Sequence, residues 1–495
     1  MAYMLTEENS SEISAERRNH MVTETRKDAL VDWMKGMMYH SFVLGNKKES
    51  YVQTMLYIQE LIEEHRSKSE NGDSHSSRLK SLVPSIGFFH TRVCLKDAFE
   101  MYDEKYAITA RCHVAPTFNE IRHILNLGQL MAIGTDLKFV SFDGDQTLYS
   151  DGGNFAENSG LSFQIIELIK AGIIVCVVTA ANYQHNGEKY EVRLEGLLRR
   201  FVKSGLQPEE IERFYIMGGE CNYLLQCKLV EEVSESNPDR IKKRARIMPV
   251  PHEVWQADHL DAPKPISWPK DKVTAFLDAA EESFRKSRDE LRLRARVLRK
   301  VTSVGMIPGG DDMVAEVPNG HGSLKIKAEA LDEVVLRAME VIREMDPELH
   351  ALPYCAFNGG RDCWVDVGTK GVAVEALQAY FNLPKGSCLH VGDQFLKTGN
   401  DIAARSACPC IWITSPKETF KILDHVLHFS LSMDRVAKAA AAAKADDLAR
   451  EAEEASTPAG SPRRGRSNSA FDSNTKFAFP PNKAKMDVYT GEMLS

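Results

Sequence analysis

The amino-acid sequence predicts an α/β fold with a Rossmann-like parallel sheet, an inserted α+β domain and a helical N-terminal region. Four short apolar runs, at 137–142, 173–178, 388–391 and 411–413, have the length and composition of buried parallel strands. Helical stretches lie between them. Such alternation of strands and helices is typical of an open parallel sheet.

The N-terminal region, residues 21–134, has a helical pattern. Its apolar residues recur at three- and four-residue spacing, which predicts one buried helix face. The members of that face are Tyr51, Met55, Ile58, Leu61 and Ile62. A later helix is predicted to begin at Thr117, because Glu120 follows three residues on and completes a capping box.

A long insert, residues 182–360, separates two core segments at 135–181 and 361–435, and it predicts a second domain. Its stretch from Asp278 to Lys300 is rich in arginine and lysine and predicts a charged helix. The two ends of the chain differ from the rest in composition. We expect residues 1–20 to be a flexible N-terminus, and the low-complexity residues 436–495 to form a largely disordered tail.

Composition excludes several classes of protein. The formal net charge of −8 argues against a nucleic-acid partner. The sequence has no run of about 18 apolar residues that would span a membrane, and its first residues do not resemble a secretory signal. The 10 cysteines show no paired metal-binding spacing, so we expect free thiols. These features predict a soluble cytoplasmic protein without a membrane partner.

Chemically competent side chains follow the predicted strands. Asp143 and Asp145 come directly after the first strand, where one carboxylate can attack phosphorus and the other can transfer protons. Thr179 ends the second strand, and its hydroxyl can bind a phosphate oxygen. Lys370 opens a predicted helix, where the helix N-terminus and the ammonium both favour an anion.

Two further carboxylates predict a metal site. Asp393 follows the strand 388–391, and Asp401 lies in the same loop. Carboxylate oxygens are the ligands that Mg²⁺ prefers. Each of these motifs alone is common in ordinary turns. Together they lie where ligands bind in open α/β sheets, and their order along the chain predicts a site for phosphoryl transfer.

These positions resemble the four motifs of the haloacid dehalogenase-like phosphohydrolases. Longer segments resemble the IMP-specific 5′-nucleotidase family of that superfamily, over most of residues 20–430. They are FDGDQTLYSDGGNF, MGGECNYLL, NGGRDCWVDVGTKGVAVEAL, HVGDQFLKTGND and, upstream, RHILNLGQL. The resemblance implies a haloacid dehalogenase core with a cap domain. It also implies Mg²⁺-dependent hydrolysis of IMP to inosine and phosphate through an aspartyl-phosphate.

The resemblance implies a role for each residue of the catalytic site. Asp143 is the nucleophile and a metal ligand. Asp145 is the general acid/base, its backbone carbonyl meets the metal, and its side chain also touches the substrate. Thr179 and Lys370 hold the phosphate.

The remaining implied roles concern the metal, the nucleotide and an effector. Asp393 is the other main magnesium ligand, and Asp401 supports it. Asp151 and Asp362 contact the nucleotide. The family resemblance further implies a homo-oligomer, specifically a tetramer, that is activated by ATP at a separate site. The best local candidates for that effector site are Arg111 and His123.

Two alternatives stay open on the sequence. One is a sugar-phosphate phosphatase or phosphomutase of the same superfamily, because Asp145 is compatible with either activity. The other is a non-catalytic protein that senses purine nucleotides, although all four motifs keep competent residues. No residue of the sequence identifies the contacts to the base, so IMP as substrate is implied by resemblance alone.

Overall fold

Six stretches of the chain are described by the computed structural model. They are residues 27–44, 47–234, 237–256, 268–309, 326–345 and 352–431. The predicted flexible N-terminus and C-terminal tail lie outside these residues.

Helices build the N-terminal region, as the sequence predicts. They are α1 (Ala29–Leu44), α2 (Lys47–Glu70), α3 (Arg78–Leu82), α4 (Leu95–Tyr106) and α5 (Phe118–Ile133). The predicted apolar face of α2 is fully buried in a core shared with α1, α4 and α5. The capping box is also confirmed, because Thr117 Oγ1 accepts from Glu120 N while Glu120 Oε2 accepts from Thr117 N at 2.8 Å.

Strands and further helices alternate along the rest of the chain. The strands are β1 (Phe139–Phe142), β2 (Ile174–Thr179), β3 (Phe214–Gly218), β4 (Tyr223–Ser234), β5 (Asn237–Pro249), β6 (Ala295–Arg299), β7 (Ser303–Pro308), β8 (Tyr354–Asn358), β9 (Cys363–Val367), β10 (Cys388–Gly392) and β11 (Cys410–Trp412). The helices are α6 (Leu161–Lys170), α7 (Gly187–Lys203), α8 (Pro208–Ile211), α9 (His252–Trp255), α10 (Lys270–Glu290), α11 (Ala328–Arg343), α12 (Lys370–Phe381) and α13 (Pro416–Ser430).

The larger sheet has seven strands in the order β11-β10-β1-β2-β3-β4-β5. Strands β11 to β3 are parallel, whereas β4 and β5 extend the sheet as an antiparallel hairpin. Helices α6, α7 and α13 share an apolar core with one face, and α12 packs on the other. The chain leaves β1 toward β2 on one side and returns through β10 on the other. This arrangement confirms the predicted α/β fold with a parallel sheet, and it places the carboxyl end of β1 at a topological switch point.

The smaller sheet is antiparallel, with the order β6-β7-β9-β8. One of its faces packs against α10 and α11 around a separate apolar core. We call these four strands and two helices the cap. Since β9 leads directly into α12, the cap stays connected to the larger sheet close to Lys370.

The division of the strands between two sheets differs from the expected division of the chain into core and insert. Strands β3, β4 and β5 lie inside the predicted insert 182–360, yet they belong to the larger sheet, because β3 pairs with β2 and the hairpin continues from it. Strand β9 lies in the predicted core segment 361–435, yet it pairs with β7 and β8 of the cap. The predicted helix from Asp278 to Lys300 is wrong in its second half. Arg292 adopts a left-handed φ of 52°, and β6 follows.

Helix α5 covers the outer edge of β11 with side-chain amides. Asn126 Nδ2 donates to Trp412 O at 2.8 Å, and Asn126 Oδ1 accepts from Trp412 N at 3.2 Å. Gln129, one turn later, donates to Cys410 O at 3.0 Å. An unpaired strand edge would expose backbone groups to another chain. These amides occupy it instead, which gives the segment RHILNLGQL a structural reason.

The structure gives the state of the cysteines and the apolar character of the helices. All 10 cysteines are free thiols, and most are buried. Among the described helices, none combines the length and the apolar composition that crossing a bilayer requires.

Asp424 of α13 makes the stability of the fold depend on pH. Burial against α6 raises the pKa of Asp424 from 3.8 to about 7. The folded chain therefore holds a proton that the unfolded chain releases, and stability is lost as the pH rises from about 4 to about 7. We expect Asp424→Asn to raise the free energy of unfolding at pH 8 by up to about 4 kcal/mol.

The gain from Asp424→Asn should shrink as the pH falls toward 5, because the wild-type carboxyl is then protonated in the folded chain. Thermal unfolding midpoints of both proteins at pH 5 and pH 8 measure the effect. An equal gain at the two pH values would show that the substitution acts through packing and not through charge.

Candidate active site

The carboxyl ends of three neighbouring strands bring the predicted catalytic residues together. Strand β1 lies between β10 and β2. Asp143 follows β1, Asp393 follows β10 and Thr179 ends β2. The backbone N–H of Asp143 donates to Val391 O at 2.9 Å, which fixes the start of the nucleophile loop against β10. The parallel sheet thus places these side chains around one point.

Lys370 is the centre of the site. Its Nζ lies 2.6 Å from Asp143 Oδ1 and 2.6 Å from Asp401 Oδ1, and the side chain is fully buried. It is the first residue of α12, and the Thr369 side chain caps this helix by accepting from Val372 N at 3.1 Å. Burial alone would lower the pKa of Lys370, but the surrounding carboxylates raise it above its usual value. The ammonium is therefore a permanent charge of the site.

Asp401 is held by more donors than any other carboxylate here. Besides Lys370, His390 Nε2 approaches its Oδ1 at 3.0 Å, and Gln394 N donates to its Oδ2 at 2.8 Å. Although burial would raise the pKa of Asp401, Lys370 and His390 hold it below its usual range. Asp401 therefore stays ionised. His390 is a site residue that the sequence did not single out; its only signal was a polar side chain inside an apolar strand.

A divalent cation fits the arrangement of Asp143, Asp393 and Asp401. One carboxylate oxygen from each lies within 4.8 Å of the others. Asp393 Oδ1 is buried, and no described group hydrogen-bonds to it. Burial, together with the neighbouring carboxylates, raises the pKa values of Asp143 and Asp393. When all three carboxylates are ionised, they and the ammonium carry a net charge of −2, which a divalent cation would balance while taking the oxygen ligands that it prefers.

Asp145 lies beside this cluster but points elsewhere. Its Oδ1 accepts from Gly152 N at 2.9 Å and from Arg193 Nη2 at 2.6 Å. Arg193, on α7, lies over the Tyr149 ring at 4.9 Å from the centroid. Both of these hydrogen bonds are made to Oδ1, and no described residue hydrogen-bonds to Asp145 Oδ2. Arg193 carried no sequence signal, because its role depends on where α7 packs.

Thr179 lies at the edge of the same cleft. It is largely buried, and its Oγ1 accepts from Ala181 N at 3.1 Å. This bond turns the chain after β2 and leaves the hydroxyl proton without a described acceptor. A phosphate oxygen would provide one.

Glu220 is a buried carboxyl that the sequence interpretation missed. It follows β3 with a left-handed φ of 62° and is fully buried. Its Oε1 accepts from Asn400 Nδ2 at 3.0 Å, whereas no described group bonds to Oε2. Burial raises the pKa of Glu220 to about 7. Its signal was available in the segment MGGECNYLL, where an acid comes two residues after the end of a strand.

Asp151 and Asp362 lie where the cap meets the loop after β1. Asp151 Oδ2 is 2.8 Å from Nε of Arg361, which belongs to the turn between β8 and β9. Burial raises the pKa of Asp362, and a hydrogen bond from the Trp364 side chain opposes that rise. The structure thus brings both predicted nucleotide contacts to one side of the cleft.

Arg111 and His123 flank α5 and pair with residues of the helical side of the molecule. Arg111 Nη2 lies 2.5 Å from Glu120 Oε1, and His123 Nε2 lies 2.9 Å from Glu418 Oε1. The ring of Tyr102 lies 6.2 Å from that of His123. The ion-pair partners of the two predicted effector residues are therefore Glu120 and Glu418, and not the carboxylates of the catalytic cluster.

Removing the ammonium of Lys370 should destabilise the metal-free protein. We expect Lys370→Met to lower the free energy of unfolding by about 3–5 kcal/mol, because Asp143 and Asp401 lose their shared buried partner. Thermal unfolding in the presence of a chelator measures the change. Lys385→Met is a matched control, since Lys385 pairs with Glu375 at the surface and should contribute about 1 kcal/mol or less. Equal losses in the two variants would contradict the central role of Lys370.

Comparison with known proteins assigns the chain to a family. The family model described as IMP-specific 5′-nucleotidase matches residues 14–423. The IMP-specific 5′-nucleotidase 1 of Plasmodium falciparum is 34% identical over 405 residues, covering 82% of this chain and 84% of the relative. The protein of that name from Yarrowia lipolytica is 34% identical over 437 residues, covering 83% and 97%.

Solved structures agree with this assignment. An IMP-bound, N-terminally truncated P. falciparum IMP-nucleotidase superposes with a TM-score of 0.69 at 33% identity, covering 81% of this chain and 96% of that one. An ATP-bound structure of the P. falciparum enzyme gives a TM-score of 0.66 at 33% identity, covering 83% and 87%. The chain belongs to the IMP-specific 5′-nucleotidase family.

Proposed function

We propose that this protein is a Mg²⁺-dependent 5′-nucleotidase that hydrolyses IMP to inosine and phosphate through an aspartyl-phosphate on Asp143. The observation that carries the proposal is the buried cluster of Asp143, Asp393 and Asp401 around Lys370. Phosphoryl transfer depends mainly on positioning the reacting groups and on stabilising negative charge. In this cluster Lys370 fixes the Asp143 carboxylate and supplies a positive charge. The names of the relatives support IMP as the substrate.

Two steps account for the reaction. In the first, an Asp143 carboxylate oxygen attacks phosphorus, the bond from phosphorus to O5′ breaks, and Asp145 donates a proton to O5′ as inosine leaves. In the second, water attacks the aspartyl-phosphate, Asp145 takes the proton of that water, and the bond from phosphorus to Asp143 breaks. Each turnover consumes one water and returns both aspartates to their initial states.

The surrounding residues prepare these steps. Lys370 opposes the charge that develops on the phosphoryl oxygens, and Thr179 donates its free hydroxyl proton to one of them. Arg193 and Gly152 N fix one oxygen of Asp145 and leave the other for the proton. Mg²⁺, held by Asp143, Asp393 and the backbone carbonyl of Asp145, would supply charge neutralisation for the phosphate, with Asp401 in support.

ATP is proposed as an activator that binds in the N-terminal helical region. The ATP-bound structure of the P. falciparum relative supports ATP as a ligand of this family. Arg111 and His123 remain the candidate contacts, and both flank the same capped helix α5. The homo-tetramer and the cytoplasmic location stay predictions from the family resemblance.

The two alternatives make different demands on the site. A hexose-phosphate phosphatase or phosphomutase would use the same carboxylates but would need no contacts for a base. A sensor of purine nucleotides would bind IMP without releasing phosphate. Substrate preference and turnover therefore separate the three functions.

Wild-type protein and Asp143→Asn should differ completely in phosphate release from IMP. With Mg²⁺ present we expect the wild type to prefer IMP over AMP, GMP and glucose 6-phosphate, and to respond to ATP. Asp143→Asn removes the nucleophilic charge and should abolish turnover while leaving the thermal unfolding midpoint close to that of the wild type. A chelator should stop the wild type, and added Mg²⁺ should restore it.

Each part of this experiment can contradict the proposal. Preference for the hexose phosphate would support the sugar-phosphate alternative, and IMP binding without phosphate release would support the sensor. Near-normal release by Asp143→Asn would refute the nucleophile assignment.

Asp145→Asn should slow both steps, by about 10²- to 10⁴-fold, because the amide neither donates the acid proton nor accepts one from water. Where breakdown of the aspartyl-phosphate is slowed more than its formation, the phosphorylated protein accumulates. Rapid quenching followed by intact-mass measurement detects it, and the double variant Asp143→Asn/Asp145→Asn is the control that cannot be phosphorylated at Asp143. Unchanged turnover in Asp145→Asn would exclude the acid/base role.

A further inference from the structure

Lys300 and Trp364 form an ammonium–aromatic pair that none of the roles assigned above uses. Lys300 lies in the turn between β6 and β7, and Trp364 lies on β9. Lys300 Nζ is 4.1 Å from the centroid of the Trp364 ring. The ring is fixed from below, since a Cβ at Gly305 on β7 would come within 2.5 Å of its atoms. The indole ring of Trp364 therefore packs on the backbone of Gly305, and the Lys300 ammonium lies over the ring.

The pair lies on the face of the cap sheet that the cap helices leave open. Cys363, Val365 and Val367 pack into the core with α10 and α11. Because side chains alternate along a strand, Trp364 and Asp366 project from the opposite face.

Three contacts turn this open face toward the catalytic cleft. Asn182, after β2, donates to Thr302 Oγ1 at 3.0 Å, two residues from Lys300. Asn222, after β3, donates to Val367 O at 3.0 Å. On the other side, the backbone N–H of Asn358 donates to Thr398 O of the loop that carries Asp393 and Asp401, at 2.8 Å. The open face therefore covers the carboxyl ends of β2, β3 and β10.

The ammonium of Lys300 has no carboxylate partner at ion-pair distance within the described chain. Asp362 and Asp366 are the acids whose charges act on it, and burial lowers its pKa. Asp362 is also close enough to Asp145 for their charges to interact. Asp366 Oδ1 is buried, with no hydrogen-bond partner among the described residues. A half-buried donor beside an unsatisfied acceptor, across a cleft from the acid/base residue, marks a place for a polar ligand group.

The position beside Lys300 and Trp364 is separated along β9 from Lys370, where the phosphate group is proposed to bind. Lys370 contacts the nucleophile, and Trp364 lies six residues before it, with the three β9 residues 365–367 in between. Three strand residues advance the chain by about 10 Å. This is the scale of a nucleoside monophosphate and exceeds that of a phosphate group alone.

We propose that Lys300, held on the Trp364 ring, recognises the 6-oxo group of a purine base, which makes it a specificity-determining residue for 6-oxopurine nucleotides. This inference rests on the proposed function. An ammonium has three donors and no acceptor. It pairs with the 6-oxo group of IMP or GMP, whereas the 6-amino group of AMP is itself a donor and leaves Lys300 unpaired. A site built around a hydrogen bond of this kind rejects the mismatched analogue strongly.

The test compares Lys300→Met, which keeps an apolar chain on the Trp364 ring, with the wild type. We expect kcat/KM for IMP to fall by about 10- to 100-fold, the loss of one charge-assisted hydrogen bond. Hydrolysis of AMP and of p-nitrophenyl phosphate, which lacks the 6-oxo group, should change little, so the IMP-to-AMP ratio should fall by a similar factor. Lys286→Met, at an exposed position on α10, is the matched control and should keep both kcat/KM values and the ratio.

Other results would overturn the inference. An unchanged IMP-to-AMP ratio in Lys300→Met would exclude base recognition. An equal loss with IMP, AMP and p-nitrophenyl phosphate, in a variant whose unfolding midpoint is unchanged, would assign Lys300 to the phosphate instead. A wild type that hydrolyses p-nitrophenyl phosphate but not IMP would refute the proposed function itself, and this outcome is distinguishable from failure at Lys300.

Discussion

The buried ammonium of Lys370 is the interaction on which the rest of the site depends. It contacts Asp143 and Asp401 at 2.6 Å each, whereas Asp393 Oδ1 is buried without a hydrogen-bond partner among the described residues. Burying charges without balancing them is costly, so this arrangement requires further positive charge to reach its lowest energy. The same deficit that destabilises the metal-free cluster gives it affinity for a divalent cation and for the phosphoryl group that such a cation accompanies.

The scaffold around the cluster explains how distant parts of the chain contribute to it. Trp412 Nε1 donates to the backbone carbonyl of Asp393 at 2.9 Å. The backbone of Trp412 is in turn bonded to Asn126 of α5, whose neighbour Arg122 pairs with Glu418 at 3.0 Å. Contacts therefore run without interruption from the N-terminal helices, through the edge strand β11, to a proposed metal ligand. A ligand bound beside α5 has a physical route by which to shift the position of Asp393.

Patterns within short stretches of the sequence predicted the strands and helices, which depend mainly on interactions between residues close in the chain. The apolar runs became β1, β2, β10 and β11, and Asp143 and Asp401, which lie in the loops after β1 and β10, both contact Lys370. Strand pairing over long distances was not predictable, so β3 to β5 were assigned to the insert and β9 to the core. Arg193 and Lys300 were missed for a related reason. Their partners, Asp145 and Trp364, are distant in sequence, and only packing brings them together.

The direct connection from β9 to α12 links Trp364, at the proposed base site, to Lys370, at the phosphate site. Gly368 adopts a φ of 107°, and a Cβ there would lie 2.4 Å from Cys221 Sγ, so the turn between the two elements has little freedom. Trp364 and Lys370 therefore keep a fixed separation. In the proposed binding mode, a nucleotide engages Lys370 through its phosphate and Lys300 through its base. Binding energy gained at the base can then align the phosphate with Asp143, which couples substrate selection to catalysis.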